Sequence, residues 1–393
     1  MKVLMIAPQP FFQPRGTPFS VLHRIRALAH LGHQVDLLTY PIGQDVEIDG
    51  LRIMRSRKIL PIRNCPIGPS LVKIPLDMML SFQAVMRLRR HSYDLLHTHE
   101  EAGFLGTFLA RRYGILHLYD MHSSLPQQLA NFKYPAPRAL VRLFERLESL
   151  TIRRADAVIT ICPELSHYVT GKFPGVFHVL IENVADNALL FRPPVRSMNV
   201  RREYGIDGSS LILYAGTFEP YQGLDLLIEA GRHVIERMKG VSFLLVGGTP
   251  EQVERYRQKA DEAGAGAHFI FTGSVPPEAV EEFVKAADVL VSPRIAGTNT
   301  PLKIYSYLRS GKPIVATRHI THTQVLNDEV AVLTESQAGD LAAGILKVLE
   351  QPNFAKQLTS QAMSLARMRY SYNAYLEKTR EVYGYLERQL MRR

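Results

Sequence analysis

Cysteine is scarce: Cys65 and Cys162 are the only two in a chain of 393 residues. They stand far apart and form neither a metal-binding nor a redox spacing. That excludes a disulfide scaffold and fits a reducing, cytoplasmic compartment. No run of eighteen apolar residues is present, so no spanning helix is expected. The opening MKVLMIAPQP has too short an apolar run for a signal peptide, and proline stops it; it reads as a first buried strand. Acidic residues are fewer than basic ones, 37 against 47, which leaves a net charge of +10. Nucleic acid, an anionic membrane surface and anionic small molecules all fit that sign. No basic-aromatic platform, finger spacing or low-complexity basic arm accompanies it, which argues against nucleic acid.

What is present belongs to an ordinary globular protein, with 46% hydrophobic and 21% charged residues. The length predicts two domains. Short apolar runs at 3–7, 35–40, 94–99, 116–122 and 157–162 alternate with helical stretches. After residue 199 the pattern restarts, with strands expected at 211–216, 242–248, 268–273, 288–293 and 313–317. This alternation predicts parallel sheets wrapped by helices. The stretch 186–199 holds two adjacent prolines and no clear period, and reads as a linker. The final stretch 371–393 is helical and amphipathic.

Each half contains a strand, a glycine loop and a Thr-Pro that opens a helix: RGTPFS at 15–20 and TNTPLK at 298–303. In the first helix the apolar positions are Val21, Leu22, Ile25, Leu28 and Ala29. In the second, Thr300 reads as an N-cap and Pro301 as the first residue of a helix over 301–310. Lys303 then falls in the first turn, where the helix dipole disfavours a cation. Either an anion is held between Lys303 and the helix N-terminus, or the side chain bends into water. His97 and His99 alternate onto one face of a strand end, beside Glu100. Their spacing does not guarantee enough ligands for a metal, so no metal is expected there.

ADAVITICPELSHYV (155–169), IENVADNALLF (181–191), YAGTFEPYQGLDLLIEA (214–230), FLLVGG, FTGSVP and the 303–317 segment follow the first strand and glycine loop in a definite order. That order resembles the family-4 glycosyltransferases, retaining enzymes of the GT-B fold. The resemblance implies two Rossmann-like domains facing a cleft. Residues 1–190 would receive the acceptor and 191–370 the nucleotide diphosphate sugar donor, with 371–393 returning to the first domain. It implies no metal, and the chain has no Asp-x-Asp motif.

By the same resemblance, Gly16, Thr17, Gly216, Thr217, Gln222, Gly247, Gly273, Val275, Thr298, Asn299, Thr300, Pro301, Leu302 and Ser306 would meet the donor. Lys303 and Arg294 would face its diphosphate. His122 would line the catalytic cleft, and His99, Glu100 and Asp120 would contact the acceptor. Thr298 and Ser306 stand where the family has two glutamates. Thr217 and Gln222 stand where it has a basic pair that grips the diphosphate.

The expected activity is metal-independent, retaining transfer of a sugar to a glycan or lipid-linked acceptor, as in cell-surface polysaccharide or glycolipid synthesis. The departing phosphate oxygen can take the acceptor proton, so positioning and charge stabilisation carry most of the chemistry. The replaced carboxylates and basic pair favour an alternative, a non-catalytic module that binds nucleotide-sugar or glycan. A nucleotide-sugar epimerase on the same fold is a third reading.

Residues 71–93 read LVKIPLDMMLSFQAVMRLRRHSY, with Leu76, Met79, Leu80, Gln83, Met86 and Arg90 near helical spacing and Arg87, Arg89 and Arg90 clustered at the end. Such a helix can lie on an anionic membrane surface. It can equally pack on the N-terminal sheet with a basic outer end.

Overall fold

Strands with an apolar side chain at nearly every position must be covered on both faces, and the helices between them provide the cover. The computed structural model describes residues 1–13, 16–57, 65, 70–130, 137–185 and 198–393. The chain forms two compact units, Met1–Asn183 with Tyr375–Arg393, and Val184–Ala374. The expected linker lies, apart from 198–199, outside the described residues.

The first unit runs β1 (Lys2–Ala7), α1 (Gly16–His30), β2 (Gln34–Thr39), β3 (Leu51–Arg55), α2 (Lys73–Arg90), β4 (Leu95–His99), α3 (Ala102–Tyr113), β5 (Leu116–Met121), α4 (Leu125–Ala130), α5 (Arg138–Arg154), β6 (Ala157–Thr160), α6 (Pro163–Lys172) and β7 (His178–Leu180). Its sheet is parallel, in the order β3-β2-β1-β4-β5-β6-β7. In α1, Val21, Leu22, Ile25 and Leu28 are buried as the spacing predicts. Leu76, Leu80, Ala84 and Leu88 of α2 are also buried. The face of 71–93 read as a possible membrane side is therefore largely its core side.

The second unit runs α7 (Val200–Glu203), β8 (Ser210–Ala215), α8 (Leu224–Arg237), β9 (Val241–Val246), α9 (Pro250–Glu262), β10 (Phe269–Gly273), α10 (Val280–Ala286), β11 (Val289–Ser292), α11 (Leu302–Arg309), β12 (Ile314–Thr317), α12 (Ile320–Thr323), β13 (Val332–Thr334), α13 (Ala338–Glu350) and α14 (Pro352–Arg369). Its sheet is parallel, in the order β10-β9-β8-β11-β12-β13. Leu211, Leu213 and Ala215 of β8 enter one apolar cluster, while Ile212 and Tyr214 enter another. Alternation along one strand thus fills a core on each face of the sheet.

The last helix, α15 (Tyr372–Met391), buries Tyr375, Leu376, Thr379, Val382, Tyr383 and Leu386. Within the first unit, Tyr383 Oη lies 2.8 Å from His97 Nδ1, and Tyr385 stacks on Phe177 with centroids 3.8 Å apart. Among the described residues, no helix is long and apolar enough to cross a membrane.

Candidate active site

In each sheet the strand order reverses beside a central strand: β1 lies between β2 and β4, and β8 lies between β9 and β11. Loops leaving the C-terminal ends of such neighbouring strands diverge and leave a crevice, where open α/β sheets bind ligands. In the second unit those loops are Gly216–Thr217 after β8 and Pro293–Arg294 after β11, and α11 follows.

Lys303 is the second residue of α11. It does not bend into water. Its Nζ is buried and without a hydrogen-bond partner, 3.6 Å from the centroid of the Tyr214 ring. Part of the residue is exposed, but the ammonium is not. Burial, reinforced by the charge of Arg294, pushes its pKa well below the ordinary lysine value. Tyr214 is held by its hydroxyl, which donates to the Thr217 carbonyl at 2.7 Å. Gly216 leaves the space: a Cβ there would sit 2.9 Å from Lys303 Nζ.

Arg294 donates from Nε to the Ala296 carbonyl at 2.8 Å and lies over the Tyr221 ring at 5.0 Å. Burial lowers its pKa too. Gly297, at φ +107°, makes room for it, since a Cβ would fall 2.3 Å from Arg294 Nη2. Among the described residues no carboxylate forms an ion pair with Lys303 or Arg294. Two cations held in low dielectric without a counter-ion form a site for an anion.

The other expected residues of this unit fall around the same loops, with two corrections. Thr300 does not cap α11. The helix begins at Leu302, Pro301 is its N-cap residue without a side-chain bond, and Thr300 Oγ1 is buried with no partner. Pro301 has extended ψ, so it closes the preceding loop instead of opening the helix. Ser306 donates to the Lys303 carbonyl at 2.9 Å, the usual arrangement of a mid-helix serine. Gln222 is buried; its Nε2 donates to Thr217 Oγ1 at 3.3 Å and its Oε1 has no partner. Gly247 donates to the Gly273 carbonyl at 2.8 Å, and a Cβ on it would collide with the Gly216 carbonyl. Those three glycines are thereby brought together. Val275 packs against the core cluster that holds Ile304. The Thr298 carbonyl accepts from Gln324 Nε2 at 2.7 Å, and Asn299 and Leu302 are half-buried.

In the first unit, Asp120 is fully buried and paired with Arg24 at 2.9 Å. Its carboxylate also lies 3.3 Å from His97 Nε2, 3.7 Å from His99 Nδ1 and 3.3 Å from His122 Nε2. Burial alone would raise its pKa, but Arg24 and the surrounding imidazoles hold it well below the usual carboxylate range. Burial lowers His122 to about 4 and His99 well below its ordinary value, so both rings are neutral near pH 7. His99 and Asp120, expected to contact the acceptor, therefore belong to the core, and His122 is buried with them. His97, His99 and Asp120 are close enough to hold a metal ion. Arg24 already neutralises the only carboxylate, so an added cation would be uncompensated in this fully buried cluster.

Glu100 is the expected acceptor contact that stays partly exposed. It adopts φ +51° and accepts from Thr17 Oγ1 at 3.2 Å, which joins the end of β4 to the first turn of α1, beside Gly16. Burial and the nearby Glu101 raise its carboxyl to about 7.

Residues 15–179 match the family described as glycosyl transferase 4-like domain, and residues 198–364 match glycosyl transferases group 1. The chain belongs to the family-4 glycosyltransferases. It is 26% identical over 395 residues to the D-inositol 3-phosphate glycosyltransferase of Acidothermus cellulolyticus, covering 94% of this chain and 85% of that one. Sucrose-phosphate synthase from Thermosynechococcus elongatus superposes with a TM-score of 0.78 at 22% identity, over 99% of both chains. Anabaena HepE, solved in complex with UDP-glucose, superposes with a TM-score of 0.74 at 18% identity, over 98% of this chain and 99% of that one. The fold of this glycosyltransferase is thus GT-B.

Reading the sequence did not single out Tyr214, Gly297 or Arg24. For Arg24 the signal was available. It lies three residues after Val21 and four before Leu28, on the apolar stripe of α1, where a charge must be paired.

Proposed function

We propose that this glycosyltransferase takes its sugar from a nucleotide diphosphate donor held in the second unit, and passes it with retention to a glycan or lipid-linked acceptor. The observation that carries the reading is Lys303 Nζ, buried and unpartnered beside Arg294 at the sheet's reversal point. A diphosphate supplies the missing negative charge. Its oxygens would meet Lys303, Arg294 and the first-turn amides of α11, where the helix dipole favours an anion. HepE's complex with UDP-glucose supports this donor class by analogy.

Charge grows on the leaving diphosphate as the sugar–oxygen bond breaks. Two cations in a water-poor site stabilise that charge more than they stabilise the bound donor. This is also the reason for proposing that no metal ion is needed. The departing phosphate oxygen then accepts the acceptor's proton while the new glycosidic bond forms on the same face. Gln222 Oε1 and Thr300 Oγ1, buried without partners, supply hydrogen-bonding capacity for donor hydroxyls. Glu100, which accepts from Thr17 beside Gly16, offers a carboxyl group to an acceptor hydroxyl in the first unit. The chemistry fits assembly of a cell-surface polysaccharide or glycolipid.

The test is release of free nucleoside diphosphate from a panel of nucleotide-sugars, with and without candidate acceptors, and NMR of the product's anomeric configuration. Acceptor-dependent release with a retained anomer is expected. Donor-induced thermal stabilisation without release under any acceptor would favour the non-catalytic alternative, for which Thr298 and Ser306 in place of glutamates speak.

A further inference from the structure

Buried hydroxyls and imidazoles are costly unless each finds a partner, and an apolar side chain fills the same space more cheaply. In the second unit three such groups meet. Ser292 ends β11, Thr317 ends β12 and His322 lies in α12, and none of the three reaches solvent. His322 Nε2 lies 2.8 Å from Ser292 Oγ. His322 Nδ1 lies 2.8 Å from the Thr317 carbonyl oxygen and 3.2 Å from Thr317 Oγ1. Burial lowers the imidazole pKa to about 3, so the ring is neutral near pH 7 and carries a single proton. A carbonyl can only accept, which places that proton on Nδ1 and leaves Nε2 to accept from Ser292 Oγ. Thr317 Oγ1 shares the Nδ1 proton and donates its own to the carbonyl of Arg294.

This chain of hydrogen bonds ends on the main chain of the loop that carries one of the two cations of the site. Arg294 leads from buried Pro293 into Ile295, Ala296 and Gly297, which are exposed. Anchors lie on either side of that stretch. The Ile295 N–H donates to the Tyr221 carbonyl at 3.0 Å, and Gln324, just after α12, donates to the Thr298 carbonyl at 2.7 Å. The segment 317–324 thus grips the loop twice, at Arg294 and at Thr298. The Arg294 side chain follows its loop, because its Nε donates to the Ala296 carbonyl two residues on.

We propose that Thr317 and His322 are positioning residues for sugar transfer: by holding the Arg294 carbonyl they set the guanidinium where it meets the donor's diphosphate. They touch no ligand themselves. Ser292 fixes the far side of the imidazole, and every polar side-chain atom of the three is partnered. A fully satisfied network rigidifies what it holds. Rigidity matters at this point, because a misplacement of about 1 Å can cost about a hundred-fold in rate. The inference rests on the reading of Arg294 as a diphosphate ligand.

The test is a double-mutant cycle read by isothermal titration with whichever of UDP, GDP, ADP and TDP binds the parent. Thr317→Val keeps the shape of the side chain and removes only the hydroxyl. It should weaken binding by about three- to ten-fold, the worth of one hydrogen bond. Thr317→Ser returns the hydroxyl and should restore the parent affinity. Added to Arg294→Gln, Thr317→Val should cost nothing further, because the group it positions is gone. A merely structural threonine would weaken both backgrounds alike. Thermal melts of each variant check folding. Should Thr317→Val not fold, Ser292→Ala removes the first bond of the chain and enters the same cycle, judged by the same outcomes, with a loss of about two- to three-fold expected in the parent background. Full affinity in Thr317→Val, or an equal loss in both backgrounds, would overturn the positioning role and leave the diphosphate site standing. Full affinity in Arg294→Gln, or no diphosphate bound by the parent, would overturn the donor reading and the positioning role with it.

Discussion

Replacing Lys303 by methionine removes a buried ammonium but keeps most of the stem that packs on Tyr214. A buried donor without a partner costs about 1–3 kcal/mol, and more when charged. Its position in the first turn of α11 adds about 0.3–1 kcal/mol against the dipole. The contact with the Tyr214 ring returns up to about 2 kcal/mol. The ligand-free Lys303→Met protein should therefore be the more stable by about 1 kcal/mol, raising the melting temperature by about 2–4 °C for a unit of this size. The sign with pH follows from the lowered pKa. The folded state binds fewer protons at this site than the unfolded state, so stability rises with pH across the interval between the two pKa values. The penalty is complete below the folded pKa and vanishes above the ordinary lysine value. The advantage of Lys303→Met should accordingly shrink as the solution is made alkaline. Melts followed by circular dichroism across that range measure both effects. A variant less stable than the parent at neutral pH, by a margin that does not change with pH, would refute the picture of an uncompensated ammonium.

Gly216→Ala would place a methyl group 2.9 Å from Lys303 Nζ at a backbone φ of +156° that favours glycine; in the fraction that melts cooperatively it should displace the ammonium and cut the transfer rate by about ten- to a hundred-fold in steady-state assays. Asp120→Asn leaves Arg24 buried without its counter-ion and should destabilise the first unit by about 3–5 kcal/mol in denaturant titrations. Since the folded pKa of Asp120 is depressed, its stabilisation is present above the unfolded carboxylate value of about 4 and lost as the pH falls through the folded value, which acid melts of the parent and Asp120→Asn will show. Glu100, raised to about 7, has the opposite sign: its cost to stability builds as the pH rises from the ordinary carboxylate value to about 7 and is complete above that, so Glu100→Gln should melt higher than the parent in mildly alkaline buffer and match it in acid.

The central strands were legible because burial on both faces writes a continuous apolar run, as in LILYAG of β8. β3, β7 and β13 escaped notice. Each lies at a sheet edge and is only three to five residues long; β3 and β7 are also partly exposed, and β3 is broken by polar residues. The start of α11 was misplaced by one residue because Thr-Pro is good capping chemistry, whereas here the threonine hydroxyl points into the protein. Lys303 was legible as an anomaly, a cation at the wrong end of a helix, but its seat on Tyr214 was not: the two residues are far apart in sequence, and nothing in a buried tyrosine announces which face it offers. The acceptor side was read least well. His99 and Asp120 end strands in polar residues that look like a site, yet Arg24, supplied by a helix 96 residues away in sequence from Asp120, draws the aspartate into the core.

The most direct test of the account is isothermal titration of UDP, GDP, ADP and TDP into the parent protein, Lys303→Met and Arg294→Gln. At least one diphosphate should bind the parent, and each substitution should weaken that binding by about ten- to a hundred-fold, the worth of one charge-assisted bond. Lys303→Met should also abolish the proton uptake that accompanies binding to the parent in alkaline buffers, because the incoming charge restores the proton to the amine. Equal affinity in the parent and Lys303→Met, with the same proton stoichiometry, would contradict the claim that this buried lysine awaits a diphosphate.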